Sequence, residues 1–126
     1  AKFPEVKPGS VLGHFVAINP VTGEKKWDVP LVDLPGSAGM LATGGGLIFT
    51  GKLTGEFIAL DQDTGQQLWQ FKTGSSVNAP PITFTHKGRQ YVAIQSGIGG
   101  VNVLRMGPQL ANVPRGGSVW VFAVQE

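Results

Sequence analysis

Two eleven-residue stretches of this chain share one pattern. Ala59-Leu60-Asp61-Gln62-Asp63-Thr64-Gly65-Gln66-Gln67-Leu68-Trp69 is matched by Ala17-Ile18-Asn19-Pro20-Val21-Thr22-Gly23-Glu24-Lys25-Lys26-Trp27. Ala, Thr-Gly and Trp fall at the same offsets, and Asn19 stands where Asp61 stands. Each stretch reads as a strand end, a tight turn and the start of the next strand. Asp or Asn side chains can bond turn amides, and the glycine can take positive φ. Trp27 and Trp69 lie 42 residues apart. A period of about 40–45 residues with several short strands per unit is the signature of propeller blades.

The rest of the chain follows the same rhythm. Residues 13–18 and 25–29 read as two strands around the Asn19–Gly23 turn. A full unit of four antiparallel strands follows, over 38–43, 47–51, 56–60 and 66–72. A third unit has strands over 81–85, 90–95 and 118–124, with a hairpin turn at His86-Lys87-Gly88-Arg89. Ala123-Val124-Gln125 falls where Ala59-Leu60-Asp61 falls in the preceding unit. The expected fold is all-β: a partial β-propeller of about two blades plus part-blades. Its divisions are a part-blade over 10–30, a full blade over 37–73 and a three-stranded blade over 79–124. The last carries a long polar, Gly-rich insert over 96–117, a length at which loops are usually functional or disordered. An incomplete arc leaves unpaired edges and bare apolar faces, so the expectation is a piece of a larger assembly.

Composition narrows the function. The net charge of +2 is modest and the basic residues are scattered, which gives no reason to expect nucleic acid. No apolar run approaches the roughly 18 residues of a membrane span. The opening Ala1-Lys2-Phe3-Pro4-Glu5-Val6-Lys7-Pro8 has no apolar core of the signal-peptide kind. With no Cys there is no disulfide framework, and no compartment follows from that.

The Ala-x-Asp…Thr-Gly-x-x-x-Trp pattern resembles the tryptophan-docking motif of the pyrroloquinoline quinone (PQQ) dependent alcohol dehydrogenases, of the methanol/ethanol dehydrogenase type. Ala38-Gly39-Met40-Leu41-Ala42-Thr43 with Leu47-Ile48-Phe49-Thr50-Gly51 resembles a blade opening of that family. Gln90-Tyr91-Val92-Ala93 with Ser96-Gly97-Ile98-Gly99-Gly100 resembles a late segment, and Gly116 to Phe122 its final strand. In family order, these cover the chain from about residue 9. The resemblance implies the C-terminal part of an eight-bladed, periplasmic quinoprotein that oxidises an alcohol and passes electrons through PQQ to a c-type cytochrome. The remaining propeller polypeptide would be its partner. In the implied mechanism the alcohol loses a proton to a base and a hydride to the quinone, with a metal acting as Lewis acid. The family's catalytic Asp and its Ca²⁺ or lanthanide ligands belong to earlier blades, so no catalytic or metal residue is expected on this chain.

The resemblance places Gly99 and Gly100 beside PQQ, where Gly permits close approach; the same glycines also suit a plain turn. Val101 stands where methanol dehydrogenases often have Trp, which implies a different pocket wall. Ser37 stands where several members have Trp near the cofactor, and it also reads as an ordinary loop Ser. Val103, Leu104, Met106 and Leu110 form either a minicore of the insert or an apolar substrate entrance. Trp69 reads as structural: a flat plane for blade packing whose N–H can donate one bond, aimed by Asp61 and Thr64. His14 is expected to have a local partner and His86 to be exposed. Asp61 and Asp63 are better explained by turn capping than by Ca²⁺. A rival reading is a non-enzymatic PQQ-like repeat propeller acting as a protein-binding scaffold, which would have no need of the Gly99-Gly100 insert.

Overall fold

The computed structural model describes residues 7–32, 38–99, 110–123 and 125. Among them are nine strands and no helix: β1 (Gly13–Ile18), β2 (Lys25–Leu31), β3 (Leu41–Ala42), β4 (Leu47–Gly51), β5 (Glu56–Asp61), β6 (Gln67–Lys72), β7 (Ile82–His86), β8 (Arg89–Gly97) and β9 (Gly117–Ala123). They form three antiparallel sheets in sequential order, β1-β2, β3-β4-β5-β6 and β7-β8-β9.

The middle sheet lies between the other two, and β5 is its most enclosed strand. Phe57, Ile58, Ala59 and Leu60 are successive residues pointing to alternate faces, yet all four are buried. Ile58 and Leu60 pack with Phe15, Trp27 and Leu31 of the first sheet. Phe57 and Ala59 pack with Phe49, Val77, Val92 and Ile94 on the side of the third sheet. A strand covered on both faces has no reason to alternate polar and apolar residues. Burying such a side chain contributes about 1.5–3 kcal/mol, so β5 joins two cores.

The repeated turns have the same geometry. Asp61 Oδ1 accepts bonds from Asp63 N (2.9 Å), Thr64 N (2.8 Å) and Thr64 Oγ1 (2.9 Å). Asn19 Oδ1 likewise accepts from Val21 N (2.9 Å) and Thr22 N (3.3 Å). Both hairpins shift register at the matching place, between Ala17 and Ile18 and between Ala59 and Leu60. Gly23 and Gly65 adopt φ of 74° and 73°.

Trp27 locks the first sheet onto the turn of the second. Its indole N–H donates to the Gln62 carbonyl at 3.0 Å. Its ring lies so close to Gly65 that an added Cβ would stand 2.7 Å from a ring carbon. Lys26 Nζ reaches Asp63 Oδ1 of the same turn at 2.5 Å. Trp69 has different surroundings. It is 39% exposed and contacts rings instead, edge-on to Phe57 and Phe122 with centroids 5.8 and 5.3 Å away. The matching turn of the third sheet would follow Val124, outside the described residues.

Two further boundaries differ. The strand expected over 38–43 pairs only through Leu41 and Ala42, with Phe49 and Ile48. Before it, Gly39 is pressed against Pro80 and its carbonyl accepts from Thr50 Oγ1 at 3.3 Å, which draws the backbone away from the ladder. At the other end, β8 continues through Ser96 and Gly97, which pair with Ser118 and Gly117. The connection between β8 and β9 is therefore 98–116.

Gly65→Ala tests the indole contact. Gly46 also has positive φ, 80°, but faces open space. Gly46→Ala is expected to cost about 1–2 kcal/mol for the left-handed backbone alone. Gly65→Ala is expected to cost about 1–3 kcal/mol more, because the ring must move; chemical denaturation of the two variants measures the difference.

The turn also has a pH signature. The Thr64 hydroxyl, then the Thr64 and Asp63 amides, hold Asp61 below its ordinary value of 3.8. Its contribution to stability is therefore present above the unfolded value and lost as pH falls through the lower folded one. Asp61→Asn keeps the acceptor, as Asn19 does. It should match the wild type at neutral pH and flatten the acid limb of the urea midpoint below about pH 4.

Candidate functional site

The place where β8 ends and β9 begins is held together by a cluster of buried hydroxyls. Thr73, Ser75, Ser76 and Ser96 are all buried. The Thr73 and Ser96 hydroxyl oxygens lie 2.7 Å apart. Thr73 Oγ1 is also 3.0 Å from the Gly55 carbonyl oxygen and 2.9 Å from that of Ser75. Ser96 Oγ donates to the Ser75 carbonyl at 3.1 Å, and Ser75 Oγ donates to the Pro114 carbonyl at 2.6 Å. The Gly97 amide donates to the Ser76 carbonyl at 2.8 Å.

These bonds have a common pattern: most end on main chain that leaves a sheet. Ser75 follows β6, Gly97 closes β8, and Pro114 approaches β9. The two ends of the 98–116 connection also touch, since a Cβ on Gly97 would stand 2.7 Å from the Gly116 carbonyl oxygen. Gly55, with φ of 104°, brings its backbone to the Ser75 carbonyl, 2.9 Å from where its Cβ would be. Glycine at 97 and 55 is what lets backbones meet here.

In front of this frame is an open cleft of about 460 Å³, lined by Asn78, Gln95, Ser96, Gly97, Ser118 and Val119 among others. Amides and hydroxyls beside small residues can orient a polar ligand by hydrogen bonds. They are unsuited to moving a proton at neutral pH, because neither group titrates there.

Of the residues singled out from sequence, Gly99 follows β8 just beyond this cleft. It is exposed, and a Cβ there would meet nothing within 4 Å. Gly100, Val101 and Ser37 lie outside the described residues. So do Val103, Leu104 and Met106, whereas Leu110 is buried and accepts a bond from the Val113 amide at 3.0 Å. His14 has its local partner: Nδ1 lies 2.6 Å from Asp28 Oδ1, and Lys25 Nζ meets the other oxygen at 2.6 Å. The bonds from Lys25 and then His14 hold the Asp28 carboxyl below its ordinary range. His86 is the last residue of β7 and exposed. Asp61 caps its turn, and Asp63 pairs with Lys26. Among the described residues no three His, Cys, Asp or Glu side chains are grouped to hold a metal.

Sequence reasoning passed over Thr73, Ser75, Ser76 and Ser96. The signal was present: three hydroxyl residues in four positions directly after β6, a residue type that bonds main chain in place of a ladder.

Comparison with known proteins places this geometry among relatives. The model of the PQQ family, described as the glucose/ethanol/alcohol dehydrogenase β-propeller domain, matches residues 11–92. The quinoprotein alcohol dehydrogenase PedE of Pseudomonas putida is 43% identical over 117 residues, covering 90% of this chain and 18% of its own length. Methanol dehydrogenase [cytochrome c] subunit 1 of Methylobacterium organophilum is 47% identical over 89 residues, 71% of this chain and 14% of its own. A solved europium-containing methanol dehydrogenase superposes with a TM-score of 0.73 at 33% identity, covering 88% of this chain and 23% of that one. The chain thus spans less than a quarter of the length of each. The expected fold class holds: three antiparallel sheets that form part of a propeller.

The contact between Gly97 and Gly116 predicts unequal effects of two alanines. Gly97→Ala should destabilise by about 1–3 kcal/mol, since a backbone oxygen blocks the new Cβ. Gly117 has no atom within 4 Å of its virtual Cβ, so Gly117→Ala should stay within about 0.5 kcal/mol of wild type. Thermal unfolding of the pair checks this.

Proposed function

The chain belongs to the PQQ family of glucose/ethanol/alcohol dehydrogenase β-propeller domains, and from that premise we propose that it is the C-terminal segment of a PQQ-dependent alcohol dehydrogenase. The observation that carries this is the continuous match of residues 11–92 to the family, joined to relatives that are quinoprotein dehydrogenases over 71–90% of the chain. Its segments are a part-blade over 10–30, a full blade over 37–73 and a three-stranded blade over 79–124, whose insert is the 98–116 connection. In the complete enzyme they close the propeller through docked tryptophans and wall one side of the cofactor pocket.

The residues at the cleft fit such a wall. PQQ is planar and carries carboxylates and carbonyl oxygens, so it needs donors at its rim and unobstructed backbone at its face. Asn78, Gln95 and Ser118 supply donors, and Gly97 supplies backbone without a side chain, with Gly99 just beyond. The family resemblance assigns Gly100, Val101 and Ser37 to the cofactor side as well, with Val where methanol dehydrogenases often have Trp. When bound, PQQ supplies the two-electron acceptor for oxidation of an alcohol to its carbonyl. What this chain does is bind, orient and exclude water. The base and the ligands to Ca²⁺ or a lanthanide come from other blades; a europium-containing neighbour makes either metal chemistry reasonable. A methanol dehydrogenase relative is named for cytochrome c, which supports a cytochrome acceptor and a periplasmic location.

Reconstitution of the complete protein with PQQ and Ca²⁺ tests the proposal. The expected result is quinone absorbance that co-purifies with the protein and ethanol-dependent reduction of an electron-accepting dye. Chelation should abolish the activity, and Ca²⁺ or a lanthanide should restore it. Protein that takes up no PQQ under either metal would overturn the reading.

A further inference from the structure

The buried hydroxyl cluster has more order than packing requires. Valine or alanine at these positions would fill similar space but would leave main-chain carbonyls, which no substitution removes, without their donors. What apolar residues would not do is fix one main-chain segment against another at a set distance and angle. Buried hydrogen-bonded networks do that, and Thr73, Ser75 and Ser96 form one, whereas Ser76 Oγ is buried with no partner among the described residues. Here the bonds link the segment after β6, the end of β8 and the approach to β9. Those segments are the roots of residues 98–116 and the rear of the cleft.

Proton counting shows how tightly the cluster is coupled. Thr73 and Ser96 have one hydroxyl hydrogen each. Three carbonyl and hydroxyl acceptors surround Thr73 Oγ1, at 2.7 to 3.0 Å. The Ser75 carbonyl lies within reach of both hydroxyls, whereas the Gly55 carbonyl keeps a second donor, the Thr73 amide at 3.0 Å. Loss of either hydroxyl therefore weakens the hold on Ser75. Ser75 in turn holds Pro114 through its own side chain.

We infer that Thr73, Ser75 and Ser96 are positioning residues for the cofactor side of the site: by holding the segment after β6, the end of β8 and the approach to β9 together behind the cleft, they set how long bound PQQ is retained. The inference rests on the PQQ reading above and names residues that act through others, since none of the three needs to touch the cofactor.

The test uses the complete dehydrogenase loaded with PQQ and Ca²⁺, as wild type, Thr73→Ser, Thr73→Val, Ser96→Ala and Ser75→Ala. Two quantities are read: the PQQ release rate, from the loss of quinone absorbance by the protein after removal of free PQQ, and amide hydrogen exchange at residues 97–99 and 115–117. Thr73→Val and Ser96→Ala should release PQQ about tenfold faster, with exchange at the roots accelerated by about the same factor, the effect of one buried hydrogen bond. Thr73→Ser keeps the hydroxyl and should behave as wild type. If either large variant fails to fold, Ser75→Ala, which removes only the bond to Pro114, decides the matter with an expected increase of about threefold. A drop in melting temperature with unchanged PQQ release would overturn the inference and leave the PQQ reading intact. Failure of the wild type to take up PQQ would remove the reading itself, and the inference with it.

Discussion

The contact between the Trp27 indole and the Asp61–Gly65 turn ties this structure together. A sheet of two strands has little stability of its own. The β1-β2 pair gains order by covering Ile58 and Leu60, and the direction from which it covers them is set by one bond and one close approach. The bond from the indole N–H to the Gln62 carbonyl gives the ring a fixed edge. The absence of a side chain at Gly65 gives it a fixed face. Since the same turn closes the β5-β6 hairpin, anything that disturbs it loosens both the middle sheet and its attachment to the first.

Between the second and third sheets the packing is aromatic. Phe57 and Phe122 stand 5.5 Å apart, Phe71 and Trp120 4.9 Å, and Trp69 meets Phe122 edge-on. Such contacts add about 0.5–1.5 kcal/mol per pair to the area they bury. They tolerate small rotations, which hydrogen-bonded contacts do not. The two kinds of packing therefore divide the work. Rings hold the sheets face to face, and the Thr73–Ser96 cluster at the other end of β8 fixes the backbone where the cleft opens. Precision is concentrated where a ligand would be read.

The fold was legible because its repeat is local. Asp61, Thr64 and Gly65 make their turn with one another, so their spacing alone announces it, and Asn19, Thr22 and Gly23 announce it again. The double burial of β5 was legible in part from Phe57-Ile58-Ala59-Leu60, an unbroken apolar run. What was not legible depended on partners far along the chain. Gly39 leaves the β3 ladder because Pro80 crowds it. Ser96 belongs to β8 because Ser118 pairs with it. Ser75 is a structural residue because Pro114 is above it. Trp69 reads identically to Trp27 in sequence yet sits among rings, because the surroundings of a side chain are set by the next sheet and not by its own repeat. Of the candidate site, sequence singled out the connection between β8 and β9 that begins at Gly97 and Gly99. It did not find the hydroxyls that anchor that connection.

The most direct measurement is an experimental density map of the complete protein with PQQ bound. This account predicts that the cofactor lies against the cleft between β8 and β9, with Gly97–Gly99 backbone in van der Waals contact with it and the Trp27 indole seated on the Gln62–Gly65 turn. A map in which PQQ lies elsewhere, with the 98–116 connection on the outer surface of the propeller, would contradict it.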